Sequence, residues 1–298
     1  MAAKLGPSGR RLELGIQLRQ LRENCPPVEE GRSKGMTRKA ACRGLEDLSE
    51  ATLGRIEAGE INFRRKVGNL RVLLERYGVG DPDLIGHLIE LNREAPKEDW
   101  LYQHQRFMPK GMPHYLGLET EAIGITAYHP SLIHGLLQTE DYARALLESH
   151  RLVEDATAES VRSNIEVRME RKARVLNPQD REPARLRIIL GEAALRTPYG
   201  DDEVMRGQYE ETIRLARMDH IDIHMLPIQR SYRADNDFAI LNLGPLPTQV
   251  QTDTAWGGVA TSDKPREVER FTRRFDAMAG SALGAEETIK FLHQLVEG

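Results

Sequence analysis

His220, Asp222 and His224 alternate in the run HIDIH, the most conspicuous grouping of metal-ligating side chains in the chain. Alternation is the pattern of a β-strand face, and at about 3.3 Å per residue the two histidines stand roughly 13 Å apart. One zinc needs bonds of about 2.0–2.2 Å, so this face is expected to be a polar strand surface rather than a metal centre. His129 and His134 flank a Pro-Ser turn with no acidic partner close in sequence. No GxSxG, HExxH, GxGxxG or Walker pattern occurs. Cys25 and Cys42 are too few for a disulfide framework or a CxxC zinc site, and Cys42 is expected as a core thiol. No catalytic residue, cofactor or metal is assigned. A site assembled from residues distant in the chain stays open as an enzyme alternative.

A different chemistry is carried by SEATLGRIEAGE, from Ser49 to Glu60. Ser49 is a favoured helix N-cap, and the helix it opens presents Glu50, Ala51, Thr52 and Arg55 near its N-terminus. A DNA major groove admits one α-helix, and only side chains near its N-terminus reach base edges. Arg55 can donate to guanine O6 and N7, Glu50 can accept from cytosine N4, and Ala51 or Thr52 can touch a thymine methyl. A phosphate or intramolecular contact is the alternative for Arg55. Thr37 and Arg38 open the preceding helix, where backbone N–H groups and a side chain can clamp phosphate. Arg64, Arg65 and Lys66 form a basic triplet read as further phosphate contacts rather than a solvated face.

These side chains need helices to hold them. Leu14, Leu18 and Leu21 recur at helical spacing in a first helix from Leu12 to Arg22, and a loop rich in Pro and Gly follows from Asn24 to Gly35. Thr37 caps a second helix with Ala41, Cys42 and Leu45 on its apolar face over two turns. Leu53 and Ile56 face inward from the third, which Gly59 ends at the C′ position. Two short helices joined by a tight turn are the helix-turn-helix signature. Leu70, Leu73 and Leu74 mark a fourth helix ended by Gly78, and Asp81 and Pro82 open a fifth, 83–93. A polar stretch with three prolines then reads as a linker, 95–116, which sets domains at 1–94 and 117–298.

Beyond the linker, Leu118 to Tyr128 reads as a helix running into a strand. Thr139 caps a helix through Ser149, and Thr157 opens a long one. Strands are expected at 185–190, 220–226, 238–243 and 248–254, with helices at 202–217, 265–279 and 285–296. The fold class is therefore an N-terminal all-α helix-turn-helix domain of about five helices followed by an α+β domain.

Charge divides the chain in the same way. Residues 1–80 hold 16 Lys and Arg against 10 Asp and Glu, whereas the whole chain of 298 residues carries −4 and the remainder therefore −10. A basic domain joined to an acidic one suggests that the first meets phosphates. With 40% hydrophobic and 30% charged residues the composition is that of a globular protein. No apolar run approaches the ~18 residues of a membrane span, and MAAKLGPSGRRLELG lacks the apolar core of a secretory signal. A cytoplasmic protein, nucleoid-associated when bound to DNA, is the expectation.

The run from Leu14 to Val79 resembles the Cro/repressor-type (XRE) helix-turn-helix family through LGIQLRQLR, MTRKAACRGL, SEATLGRIEAGE and LLERYGV. It departs from that pattern in a longer loop, Asn24 to Gly35, and in an extra residue at Glu46-Asp47-Leu48. The remainder is similar to the effector or partner domain of actinobacterial XRE regulators, the WhiJ-like group, through LGLETEAIGITAYHPSLIHGLLQTEDYARALL, RMERKARVL, ILGEAALRTPYG and IDIHMLP. The resemblance implies a transcriptional regulator working beside a small neighbouring protein, in an arrangement likened to toxin–antitoxin pairs, and no catalysis. It also implies a structural ion pair between Arg22 and Glu57. An antitoxin-like protein whose main role is protein–protein interaction is the alternative.

Duplex DNA is thus the expected partner, met by a homodimer, because one helix-turn-helix reads too few base pairs to find a single operator. Leu84, Ile85, Leu88, Ile89 and Leu91 of the fifth helix are either core or dimer contact. A small partner protein or a small-molecule effector is expected at the second domain. Tyr128, Leu132, Ile133, Leu136, Leu137 and Tyr142 line its pocket or docking groove, or are simply core.

Overall fold

Thr37, Ser49, Thr139, Thr157 and Asp201 each accept a hydrogen bond from the backbone N–H three residues on, and in the computed structural model each opens a helix. Such caps satisfy donors that the first helical turn leaves unpaired. The structure describes residues 5–27, 33–64, 66–94, 100–229, 234–254 and 257–297. The chain divides into two units, Met1–Tyr102 and Gln103–Gly298.

The first unit is all helical, with α1 Pro7–Asn24, α2 Arg38–Ala41, α3 Glu50–Glu57, α4 Val67–Arg76 and α5 Pro82–Glu94. Leu14, Leu18, Leu53, Ile56, Leu70, Leu73 and Leu74 are its buried centre, and burial stabilises each such side chain by roughly 1.5–3 kcal/mol. Leu88 and Leu91 of α5 join this core, with Leu84, Ile85 and Ile89 packed partly buried against it. Leu88 and Leu91 are therefore core, and Leu84, Ile85 and Ile89 lie at its margin. Two spans differ from expectation. α1 begins earlier, with Pro7 in its first turn, where a missing N–H costs nothing. α2 is a single turn, so Leu45 sits in the turn that follows it and not on a helix face.

Two glycines let α1 and α3 meet. A Cβ on Gly15 would lie 2.4 Å from the Ile56 carbonyl oxygen and 2.8 Å from that of Glu57. Gly59 ends α3 with φ +75, and a Cβ there would lie 2.6 Å from Leu12 Cα. Neither position has room for a side chain, and the second also needs the left-handed conformation that glycine adopts without strain.

The second unit carries α6 Met112–Glu119, α7 Glu140–His150, α8 Ala158–Leu176, α9 Glu192–Arg196, α10 Asp202–Ala216, α11 Pro265–Ala279 and α12 Ala285–Glu297. A 3-10 turn at Tyr102–Phe107 and the start of α6 occupy part of the stretch read as a linker. Its strands are β1 Gly124–His129, β2 Arg185–Gly191, β3 Ile221–Leu226, β4 Phe238–Asn242, β5 Gln249–Asp253 and β6 Val259–Ser262, in the order β3-β2-β1-β4-β5-β6. β1, β2 and β3 are parallel, joined by crossover helices, while β4, β5 and β6 run antiparallel. β6 was not expected, because its four residues at a sheet edge carry no readable alternation. Tyr128, Ile189, Phe238 and Val250 pack one sheet face on Phe275 and Met278 of α11. Tyr128, Ile133, Leu136, Leu137 and Tyr142 are buried and Leu132 is half-buried, so that segment is core rather than an open groove.

Candidate nucleic-acid interface

In α3 the buried positions are Leu53, Ile56 and Glu57, one face at helical spacing. Glu50, Ala51 and Arg55 are exposed and Thr52 half-exposed. Ser49 Oγ accepts from the Thr52 N–H at 3.1 Å and lies 2.8 Å from the Thr52 hydroxyl. The cap thus fixes two of the candidate readers against one another. Arg55 Nε donates to Glu60 Oε2 at 3.0 Å, a pairing between an exposed arginine and a half-buried glutamate that adds little stability.

Beneath this surface lies a closed charge network. Arg22 donates from Nε to Glu57 Oε1 at 2.6 Å and from Nη2 to Oε2 at 3.0 Å, and its Nη1 reaches the Met36 carbonyl at 2.9 Å. The Glu57 side chain is fully buried and that of Arg22 only 7% exposed. Burial pushes the Arg22 pKa down, and the bonds and charge of Glu57, then of Glu23, more than reverse this, so the guanidinium stays charged. Arg38 Nε adds a third bond to Glu57 Oε2 at 2.7 Å. Of the residues expected to clamp phosphate, Arg38 is thereby turned onto α3, while Thr37 accepts from the Ala40 N–H at 3.1 Å.

The basic triplet is only partly brought together. Arg64 is exposed, in the left-handed region at φ 51, with its N–H on Asn62 Oδ1 at 3.1 Å. Lys66 Nζ is 3.5 Å from Asp47 Oδ2, both exposed. Arg65 lies outside the described residues. The buried Asn92 of α5 holds this loop, accepting from the Phe63 N–H at 3.0 Å and from Asn62 Nδ2 at its own carbonyl, also 3.0 Å. Sequence reading missed Asn92 and Glu60. A polar residue on the apolar side of α5 was the available signal for the first; the second is five residues beyond Arg55, past the helix end.

The remaining candidates resolve otherwise. Cys42 is half-buried, and burial followed by the charges of Glu50 and Glu57 pushes its thiol pKa up, which opposes thiolate reactivity. His224 Nδ1 lies 2.9 Å from the Leu283 carbonyl oxygen, and His220 precedes β3, which starts at Ile221. Among the described residues no three His, Cys, Asp or Glu are grouped to hold a metal ion. His129 does have an acidic neighbour, since its Nδ1 is 3.7 Å from Asp237 Oδ2, a residue far away in sequence.

A short capped helix with a buried inner face and polar outer face, crossed by α1 and preceded by a one-turn helix, defines the class as helix-turn-helix. Residues 13–88 match a helix-turn-helix domain, the module of DNA-binding regulators. Residues 112–294 match a domain of unknown function (DUF5753). That match covers more than half of the chain, which therefore belongs to the DUF5753 family. No curated protein and no solved structure matches the chain. Among the described residues no helix is long and apolar enough to cross a membrane.

Proposed function

We propose that the protein is a sequence-specific transcriptional regulator of the XRE type, of the actinobacterial WhiJ-like group, acting in the cytoplasm on duplex DNA. The observation that carries this reading is the outer face of α3, where Ser49 caps the helix and Glu50, Ala51, Thr52 and Arg55 stand free of the core. Set in a major groove, Arg55 offers its Nη edge to guanine, and Arg64, Arg65, Lys66 and the Thr37 turn meet phosphates on either side. Arg38 contributes from its Nη atoms, its Nε being held by Glu57. The protein acts as a homodimer, with half-sites about one helical turn or a multiple apart. The second unit receives a small partner protein or ligand and has no catalytic role.

Selection of bound duplexes from a random pool by the full chain tests this reading. A defined motif should emerge, and its affinity should fall with salt by about 0.9 in log–log slope for each phosphate neutralised. Sedimentation on that duplex should show two protomers. No enrichment at low salt by folded protein would overturn the reading, and one protomer at full affinity on a lone half-site would remove the dimer.

A further inference from the structure

Residues 81–298 carry a net −10, yet one helix of the second unit runs against that balance. α11 bears Arg266, Arg270, Arg273 and Arg274, with Lys264 at its N-cap, against Glu267, Glu269 and Asp276. Lys264 Nζ lies 3.3 Å from Glu267 Oε1, and Arg273 Nη1 donates to Glu269 Oε1 at 2.5 Å. Both glutamates are thereby taken. Among the described residues Arg266, Arg270 and Arg274 form no ion pair. These three stand four residues apart, so they share one helix face in steps of about 6 Å, on the side away from the buried Phe275. Arg266 and Arg270 are exposed and Arg274 is half-exposed.

This arrangement works against the helix's own stability. Like charges at i,i+4 repel, and the residue one turn before Arg270 is Arg266, as the one before Arg274 is Arg270. Three other helices of the unit use the same spacing for opposite charges: Arg144 pairs with Glu140, Arg174 with Glu170 and Arg196 with Glu192. A local rule broken with no compensating contact in the fold is expected at functional positions.

Phe271 holds two of the three in place. The Arg274 Cζ lies 5.0 Å from its ring centroid and the Arg270 Cζ 5.8 Å. The ring is itself anchored, half-buried and 5.0 Å from the Phe238 ring of β4. Stacking on an aromatic ring attracts a guanidinium through its flat face. It uses none of the N–H donors that lie in the guanidinium plane, and among the described residues neither side chain donates a hydrogen bond. The two cations are therefore positioned without being neutralised.

We propose that α11 lies along the backbone of duplex DNA, with Arg266, Arg270 and Arg274 on phosphates. This rests on the DNA-binding function proposed above and adds a second contact surface to it. A duplex carries one negative charge per about 1.7 Å of its axis, so a basic stripe roughly 12 Å long meets several phosphates in any register. The negative balance of residues 81–298 repels a polyanion, and an unneutralised stripe turns α11 towards it. Both units belong to one chain, so once α3 is bound the second contact forms at high effective concentration. Phosphate contacts carry no sequence information. α11 thus adds affinity, while α3 supplies preference.

Salt titration of the full chain on the selected duplex, with flanking sequence on both sides, tests the stripe. The triple variant R266Q/R270Q/R274Q should lose up to about 2.7 in log–log salt slope, about 0.9 for each phosphate contact. It should keep the wild-type circular dichroism and select the same motif. R144Q/R174Q/R214Q removes the same charge from paired arginines and should leave the slope unchanged. R266K/R270K/R274K keeps the charge and should keep the slope. An unchanged slope in R266Q/R270Q/R274Q, with the motif still selected, overturns the stripe and leaves the proposed function standing. An equal loss in both glutamine variants does the same, since net charge alone would then explain it. No selected duplex from folded wild type overturns both. Loss of binding to phosphatidylserine vesicles, with the duplex slope unchanged, would give the stripe to a membrane surface and overturn its assignment to DNA.

Discussion

Each unit buries an arginine against a glutamate, Arg22 on Glu57 in the first and Arg171 on Glu119 in the second, and each sets another arginine beside the pair. In the first unit the extra arginine, Arg38, bonds the same glutamate, so both Glu57 oxygens are used and the network is closed. In the second unit Arg168 bonds a neutral amide, Gln138, and forms no ion pair among the described residues. A closed network orients helices, and Glu57 does so by tying α3 to α1 and to the start of α2. An open network leaves a buried cation on a neutral partner. The difference teaches that burial of charge does not by itself mark a site, since one such arginine closes a helix network and the other rests on an amide.

The largest expected effect tests that distinction directly. Glu57→Gln leaves two guanidiniums on an amide, one of them buried, and should destabilise the first unit by about 3–5 kcal/mol. Arg168→Gln removes a cation that forms no ion pair among the described residues, and should change the stability of the second unit by less than about 1 kcal/mol. Scanning calorimetry of the full chain reads both. Equal losses would erase the contrast between the closed and the open network.

A smaller effect separates readers from phosphate contacts within the first unit. Arg55→Ala should cost roughly 1–3 kcal/mol on the selected duplex and relax the base preference. Arg64→Ala should weaken every duplex alike and reduce the salt slope by about 0.9. Should Arg55→Ala instead weaken random and selected duplexes equally, the pair with Glu60 would be a surface contact and Arg55 no reader.

What could be read from the sequence divides along the same line. Helix starts were legible at Thr37, Ser49, Thr139 and Thr157, because capping is a local event between residues three apart. Strand positions in the second unit were legible from apolar runs, but their order was not, since β1 pairs with β4 across more than a hundred residues. The exposed face of α3 followed from periodicity. Its supports did not: Asn92 reaches the Asn62–Arg64 loop from another helix, and Arg38 turns inward because Glu57 lies under it. Asp237 was invisible beside His129 for the same reason, as was the reversal of sheet growth that brings them together.

The imidazoles of the second unit give a pH-dependent test of comparable scale. An unfolded His129 takes up its proton near pH 6.5, whereas in the fold it does so only at about 3. Between those values the unfolded chain binds more protons, so stability is present above about pH 6.5 and falls as pH drops towards 3. Asp237 acts in the opposite sense between its ordinary value and about 6, since there the folded state holds the extra proton. The difference between wild type and His129→Gln isolates the imidazole and should amount to as much as about 1.4 kcal/mol per pH unit in that window. Parallel stability curves for the two proteins would mean that the ring is solvated.

The smallest effect asks whether a helix cap in the first unit serves recognition as well as stability. Ser49→Ala and Thr157→Ala each delete one side-chain acceptor for a first-turn N–H, the Thr52 N–H in one case and the Ser160 N–H in the other. Each should cost about 1 kcal/mol in its own unit. Ser49 also lies 2.8 Å from the Thr52 hydroxyl on the outer face of α3, whereas Thr157 caps a helix remote from that face in the chain. Ser49→Ala should therefore lower affinity for the selected duplex several-fold, through fraying of the turn that presents Glu50, Ala51 and Thr52. Thr157→Ala should leave affinity unchanged at a temperature where both variants are folded. Fluorescence anisotropy on the selected duplex distinguishes the two, and equal affinities for both variants would reduce Ser49 to a cap alone and move the reading surface away from the first turn of α3.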